Sequence, residues 1–87
     1  MEKRTPDRLV ARIDDDWALA ADSLQWILQR RRAGGWRGVS FVSSSKDILA
    51  RCMREKGVPP DAAAVVLAGL PNTFRQWRHG YLTGSQP

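Results

Sequence analysis

The chain has 87 residues, with 14 Lys and Arg against nine Asp and Glu and a formal net charge of +5. One cysteine excludes an internal disulfide, and one cysteine with one histidine excludes a zinc site made of these residue types alone. The longest apolar run, 62–70, is far shorter than the ~20 residues that cross a bilayer, and residues 1–4 are not followed by the apolar segment of a signal peptide. We therefore expect one small cytoplasmic domain over residues 1–87, with loose ends at 1–7 and 80–87.

Charge is distributed unevenly along the chain. Residues 1–22 carry four basic and six acidic groups, net −2, whereas residues 23–87 carry ten basic and three acidic groups, net +7. This split predicts an acidic edge and a basic face, and a basic face favours an anionic partner. A net charge of this size also keeps a small domain soluble without any partner.

The first segments of the chain are short. Residues 8–13 combine apolar and basic side chains and are compatible with a strand or a helical turn. Asp14, Asp15 and Asp16 follow, and their position predicts a turn or a helix cap. Adjacent carboxylates alone do not supply the converging oxygens that a divalent cation needs, so we expect no metal site here.

Residues 17–32 allow two interpretations. At a period of 3.6 residues the apolar side chains form one stripe, with three Asp before it and three Arg at its end, which is typical of a helix. At a period of two residues Leu24, Trp26 and Leu28 share one side, which is typical of a strand.

The next segment, 36–42, favours the strand interpretation. It is rich in β-branched and aromatic residues, and a strand there needs a hydrogen-bonded neighbour. Residues 24–31 supply one through a hairpin whose connection contains two glycines, which tolerate positive φ. Trp26 and Trp36 then lie on adjoining strands, where aromatic pairs stabilise a sheet. In this interpretation 17–21 is a shorter strand that precedes the hairpin.

Helical signals dominate the remainder. Three serines offer an N-cap, apolar residues recur at helical spacing and Gly57 suits a C-terminal cap, which together predict a helix near 45–56. A second helix is predicted near 60–69, with a proline at its start. Asn72 is predicted to cap a last turn at 73–77.

The predicted fold is α+β, with an antiparallel sheet of two or three strands covered on one face by the helices. The alternative is a mostly α fold in which 17–32 is the first helix. Trp17, Trp26 and Trp36 are expected to help build the core. Trp77 either fastens the last helix to the sheet or serves as a docking anchor.

A pattern of Trp, Arg and apolar spacing runs through 17–22, QWILQRR (25–31), WRGVSFV (36–42) and KDILARCMRE (46–55), followed by Leu-Pro at 70–71. This pattern resembles a class of small uncharacterised proteins of phage and prophage regions, in which an aromatic hairpin with a variable tip leads into a helix. The resemblance covers about two thirds of the chain. It implies the hairpin and a mobile-element origin, and it implies no activity.

Basic residues concentrate around the predicted hairpin tip. Arginines there can converge on a phosphate backbone through bidentate hydrogen bonds, and a tryptophan beside them can stack on an unpaired base. Basic residues on the following helix would widen this surface. The cluster is also compatible with a solvated charge group that protects sheet edges from aggregation. The candidate nucleic-acid or partner-binding residues are Arg30, Arg31, Arg32, Trp36, Arg37, Lys46, Arg51 and Arg54.

No pattern of catalytic residues stands out. His79 lies in a polar segment, Cys52 falls on the apolar stripe of a helix and the three serines lack a neighbouring base. The glycines at 34–38 have neither P-loop nor dinucleotide-binding spacing. We therefore expect a protein that is not an enzyme and that uses no metal or cofactor.

Two functions from different classes follow. The first is a non-enzymatic nucleic-acid-binding accessory protein, of phage or mobile-element origin, that holds phosphates with little base specificity. The second is a protein-binding inhibitor or adaptor, such as a phage counter-defence protein that acts on a host nucleic-acid enzyme, with an acidic protein surface as one partner. A homodimer formed through sheet edges or exposed helix surface is a third alternative.

Overall fold

The computed structural model describes residues 8–82. Four strands form one antiparallel sheet in chain order, and three helices follow them. The predicted α+β class is confirmed, and the alternative of a helix over 17–32 is wrong. The elements are β1 (Arg8–Arg12), β2 (Trp17–Ala21), β3 (Trp26–Arg32), β4 (Gly35–Val42), α1 (Lys46–Lys56), α2 (Pro60–Ala68) and α3 (Phe74–Leu82).

The sheet has four strands rather than the predicted two or three. The additional strand is β1, which comes from a segment compatible with either a strand or a helical turn. All five residues of β2 are buried, so this strand needs a hydrogen-bonded neighbour on each side. β3 covers one edge, and β1 covers the other in a register that shifts between Leu9 and Ala11.

Short turns connect the strands. The Oδ1 of Asp14 accepts hydrogen bonds from the backbone N–H groups of Asp16 and Trp17, each at 2.9 Å, which confirms the predicted turn after β1. Asp22 holds the next turn in the same way. The hairpin between β3 and β4 turns through two residues, after which Gly35 has a φ of 123° that favours glycine.

The core lies between one face of the sheet and the three helices. Trp26 is fully buried, and its ring meets that of Phe74 edge-to-face with centroids 5.5 Å apart. Trp77 is half-buried against the core cluster, which supports the fastening role, and its ring lies beside that of Phe74 on the same helix, with centroids 5.6 Å apart. The core positions predicted for Trp17 and Trp26 are confirmed. The buried cluster comprises Trp17, Leu19, Ala21, Trp26, Leu28, Val42, Leu49, Met53, Val58, Ala63, Leu70 and Phe74.

Local hydrogen bonds mark the helix ends. Ser45 caps α1 by accepting from the N–H of Ile48, and Gly57 ends α1 with a φ of 96°, both as predicted. Thr73, rather than the predicted Asn72, precedes α3 as its cap. Thr73 Oγ1 accepts from the N–H of Gln76 at 3.1 Å, and Gln76 Oε1 accepts from the N–H of Thr73 at 3.1 Å. Such a reciprocal pair satisfies two otherwise unpaired donors.

α3 is longer than the predicted last turn at 73–77, because it continues to Leu82. Gly80 lies inside it and costs only about 1 kcal/mol relative to alanine, which does not end a helix that is capped and anchored at its start. Of the ends expected to be loose, 1–7 and 80–87, residues 80–82 belong to α3, and residues 1–7 and 83–87 lie outside the described residues. Between residues 8 and 82, no helix has the length and hydropathy needed to span a membrane.

Candidate functional site

Two turns of the sheet meet at one of its ends. Because neighbouring strands are antiparallel, the turn after β1 and the turn after β3 lie at the same end, which we call the tip. The N–H of Arg31 donates to the carbonyl of Asp16 at 2.8 Å, which ties the two turns together. The tip therefore combines residues 13–16 with residues 30–37.

Arginines project from both faces of the sheet at the tip. Arg30 lies opposite Arg37 across the β3–β4 ladder, on the face that bears the helices, and its guanidinium lies 5.1 Å from the centre of the Trp17 ring. Arg31 lies opposite Trp36 on the other face, and Arg32 closes the hairpin. The structure thus brings together five of the eight predicted residues.

Arg12 joins this group, although the sequence did not single it out. Its guanidinium lies 5.0 Å from the centre of the Trp36 ring, and its Nε donates to the carbonyl of Asp14 at 2.9 Å. Arg12 ends β1 at the tip, so its long side chain reaches Trp36 across the two intervening strands, β2 and β3. The sequence carried no usable signal for this contact, since the conformation of 8–13 was open.

Acidic residues lie at the same end of the sheet. Asp15 and Asp16 are exposed in the turn after β1, and Asp16 is bonded through its backbone to Arg31. The predicted separation into an acidic edge and a basic face is therefore not found at the tip. The carboxylates lower the positive potential that the arginines create there.

Lys46 has a structural partner away from the tip. Its Nζ donates to the carbonyls of Leu67 and Leu70, at 3.1 Å and 3.0 Å, and so satisfies acceptors at the end of α2. This engagement removes Lys46 from the candidate surface. Arg51 and Arg54 are exposed on α1, and no hydrogen bond, ion pair or ring contact within residues 8–80 joins them to the tip.

The face of the sheet opposite the helices, which we call the outer face, carries exposed aromatic side chains. Trp36 is 38% exposed and Phe41 is 56% exposed, which overturns the core position expected for Trp36. In a regular strand, residues five apart would point to opposite faces. The register shift between Leu28 and Gln29 leaves one extra residue in β4, so the two rings share the outer face.

The residues considered for catalysis include two on helices, Cys52 and His79, and one at a helix start, Ser45. Cys52 is half-buried against the core, and His79 is exposed on α3. Ser45, the last of the three serines, is the N-cap of α1.

Comparisons of the chain with protein families, with curated proteins and with solved structures find no match.

Proposed function

We propose that this protein is a non-enzymatic nucleic-acid-binding accessory protein that holds phosphates with the arginines of the tip. The observation that carries the proposal is the meeting of five arginines at one end of the sheet. Guanidinium groups suit phosphate because they donate two parallel hydrogen bonds in a fixed geometry. An origin in a phage or mobile element belongs to the same proposal and rests on the resemblance alone. The five residues are Arg12, Arg30, Arg31, Arg32 and Arg37.

The arginines differ in how available they are. Arg31, Arg32 and Arg37 are exposed, and their side chains make no hydrogen bond or ion pair with residues 8–80. Arg30 and Arg12 are already placed over tryptophan rings. The first three are therefore the most available for phosphate contact, and the other two add their positive charge from positions over the tryptophan rings.

The proposal is tested by titrating fluorescent oligonucleotides at salt concentrations between about 50 and 200 mM. The Arg31→Ala/Arg37→Ala variant removes one free guanidinium from each face of the sheet. Each lost phosphate contact lowers the log–log salt slope by roughly 0.7 to 0.9. We therefore expect weaker binding and a slope shallower by about 1.4 to 1.8 for the two lost contacts.

Two further variants serve as controls for the change in net charge. Arg75→Ala/Arg78→Ala removes the same charge from α3, and we expect a smaller loss of affinity. Arg51→Ala/Arg54→Ala measures whether the α1 surface extends the site. Absence of binding at low salt, or equal losses in the tip and α3 variants, would contradict the proposal.

A second candidate is a protein-binding inhibitor or adaptor, and one observation favours it. Val65 on α2 is 76% exposed, and Ala64 and Ala68 beside it are also exposed. Exposed aliphatic surface of this kind is suited to packing against another protein. Partners that stay bound after nuclease treatment of a host lysate would favour this candidate, whereas partners lost on treatment would favour nucleic acid.

A further inference from the structure

The outer face of the sheet has a structure that the tip arginines do not explain. The core side chains of α1, α2 and α3 pack with Trp17, Leu19 and Leu28, which point to the other face. The described part of the chain thus leaves the outer face without a helix over it. The outer-face residues of the strands are Leu9, Arg12, Ala18, Ala20, Ile27, Gln29, Arg31, Trp36, Gly38 and Phe41.

Phe41 occupies a defined position on this face. A Cβ placed on Gly38 would lie 2.9 Å from Cζ of Phe41 and 3.1 Å from Cγ2 of Ile27. The absence of a side chain at Gly38 therefore lets the ring of Phe41 lie across β4, beside Ile27. The ring keeps 56% of its surface exposed in this position.

Trp36 is placed by different neighbours. It borders a shallow depression of about 190 Å³, which it shares with Leu9, Arg12, Ala18 and Gln29. The guanidinium of Arg12 lies 5.0 Å from the centre of its ring, within the range of a cation–π contact. Arg31 lies directly opposite Trp36 in the ladder. Trp36 thus has one guanidinium over its ring and a second arginine opposite it in the ladder, and it remains 38% exposed.

We propose that the outer face binds single-stranded nucleic acid, with unpaired bases stacked on Trp36 and Phe41 and phosphates held by Arg12 and Arg31. This proposal rests on the proposed function and specifies the form of nucleic acid. The two rings are five residues apart along β4, at most about 18 Å, so one short strand reaches both. A duplex hides its base faces and can offer this surface only its phosphates.

Charge favours this occupant over an apolar protein surface. The strand residues of the outer face include two arginines and no carboxylate. A polyanion with flat apolar bases complements both the cations and the rings, whereas an aliphatic partner would leave the guanidinium groups unpaired. Gln29 is the one uncharged polar side chain on these strand positions. With so little to recognise the ribose 2′-hydroxyl, we expect DNA and RNA single strands to bind alike.

The test compares oligo(dT) and oligo(U) of roughly 12 nucleotides with a duplex of the same length. We expect both single strands to bind more tightly than the duplex. Phe41→Ala and Trp36→Ala should each weaken single-strand binding roughly 5- to 150-fold, the measured range for loss of one stacked base. Duplex binding should change little.

The matched control is Leu9→Ala. Leu9 lies on the same face and is 59% exposed, close to the value for Phe41, but it has no π surface. We expect this variant to weaken single-strand binding less than Phe41→Ala does, because no stacked base loses its ring. Tryptophan fluorescence gives a second readout, since stacking on Trp36 should quench part of the emission, and Trp36→Phe should abolish that quenching while retaining much of the affinity.

The outcomes separate this proposal from the proposed function. If no oligonucleotide binds at low salt, the proposed function itself fails. A different result is that single strands and duplex bind equally, with affinities that Phe41→Ala and Trp36→Ala leave unchanged. That result would mean that the tip arginines bind phosphate and that the proposed stacking on the two rings is wrong. If Leu9→Ala weakens single-strand binding as much as Phe41→Ala does, the contact with the bases is generally apolar, and stacking on the two rings is wrong.

Discussion

Two aspartates hold consecutive turns of the sheet by the same local device. The Oδ1 atom of Asp14 accepts from backbone N–H groups two and three residues ahead, and the Oδ1 of Asp22 does the same for Leu24 and Gln25 at 2.8 Å and 3.0 Å. Aspartate forms such turns readily because its side chain reaches these donors, so both turns were predictable from sequence. Burial distinguishes them, since Asp22 is only 7% exposed and Asp14 is half-buried.

We expect Asp22→Ala to lower the free energy of unfolding by about 1–3 kcal/mol, because it removes a buried carboxylate that accepts from two backbone N–H groups. Asp22→Asn should lose less, since an amide oxygen can accept the same two bonds. Asp14→Ala is the matched control, where water can replace the lost acceptor and the loss should be smaller. Urea titration gives the unfolding midpoints, and equal losses at Asp14 and Asp22 would count against the burial argument.

At the scale of elements, the hairpin was predictable and its detail was not. The β-branched and aromatic content of 36–42 and the two glycines before it indicated a strand and a turn. The extra residue in β4 could not be inferred, because a register shift depends on how two strands pack and not on either sequence alone. This shift places Phe41 on the same face as Trp36, so the sequence did not predict that the two rings share the outer face.

Lys46 links the start of α1 to the end of α2, and this contact also could not be inferred from the sequence alone. Its charge suggested a phosphate contact, whereas its ammonium lies within hydrogen-bond distance of two carbonyls at the end of α2. We expect Lys46→Met to lower the free energy of unfolding by about 1.5–3 kcal/mol, the range for hydrogen bonds that involve a charged group. Oligonucleotide affinity should stay close to that of the parent chain.

The control for this variant is Lys56→Met, which removes the same charge from an exposed position at the other end of α1. It should leave the urea midpoint almost unchanged. A Lys46 variant that unfolds at the parent midpoint but binds oligonucleotides weakly would return Lys46 to the binding surface.

At the scale of the whole molecule, strand order decides which charges meet. The sequence alone indicated an acidic first part and a basic remainder, and from this a separation of the two. Because residues 8–12 pair with β2 as a strand, the turn that contains Asp15 and Asp16 lies at the same end of the sheet as the β3–β4 hairpin with its arginines. The sequence thus predicted the arginines of the tip but not the aspartates beside them, because the conformation of 8–13 was undecided.

This arrangement predicts that the acidic turn restrains binding at the tip. Replacing Asp15 and Asp16 by asparagine removes two negative charges near the arginines while leaving Asp14 to hold the turn. Two charges about 10 Å from a phosphate in water repel it by roughly 0.8 kcal/mol, so we expect about two- to fourfold tighter oligonucleotide binding at low salt. The gain should shrink as salt rises, because exposed charges are screened over a distance of about 10 Å at 0.1 M.

Asp47→Asn/Glu55→Gln makes the same change in net charge on α1, where both residues are exposed, and should give a smaller gain. Equal gains from the two pairs would mean that affinity follows total charge, and that the position of the tip arginines beside the aspartate turn has no special part in binding.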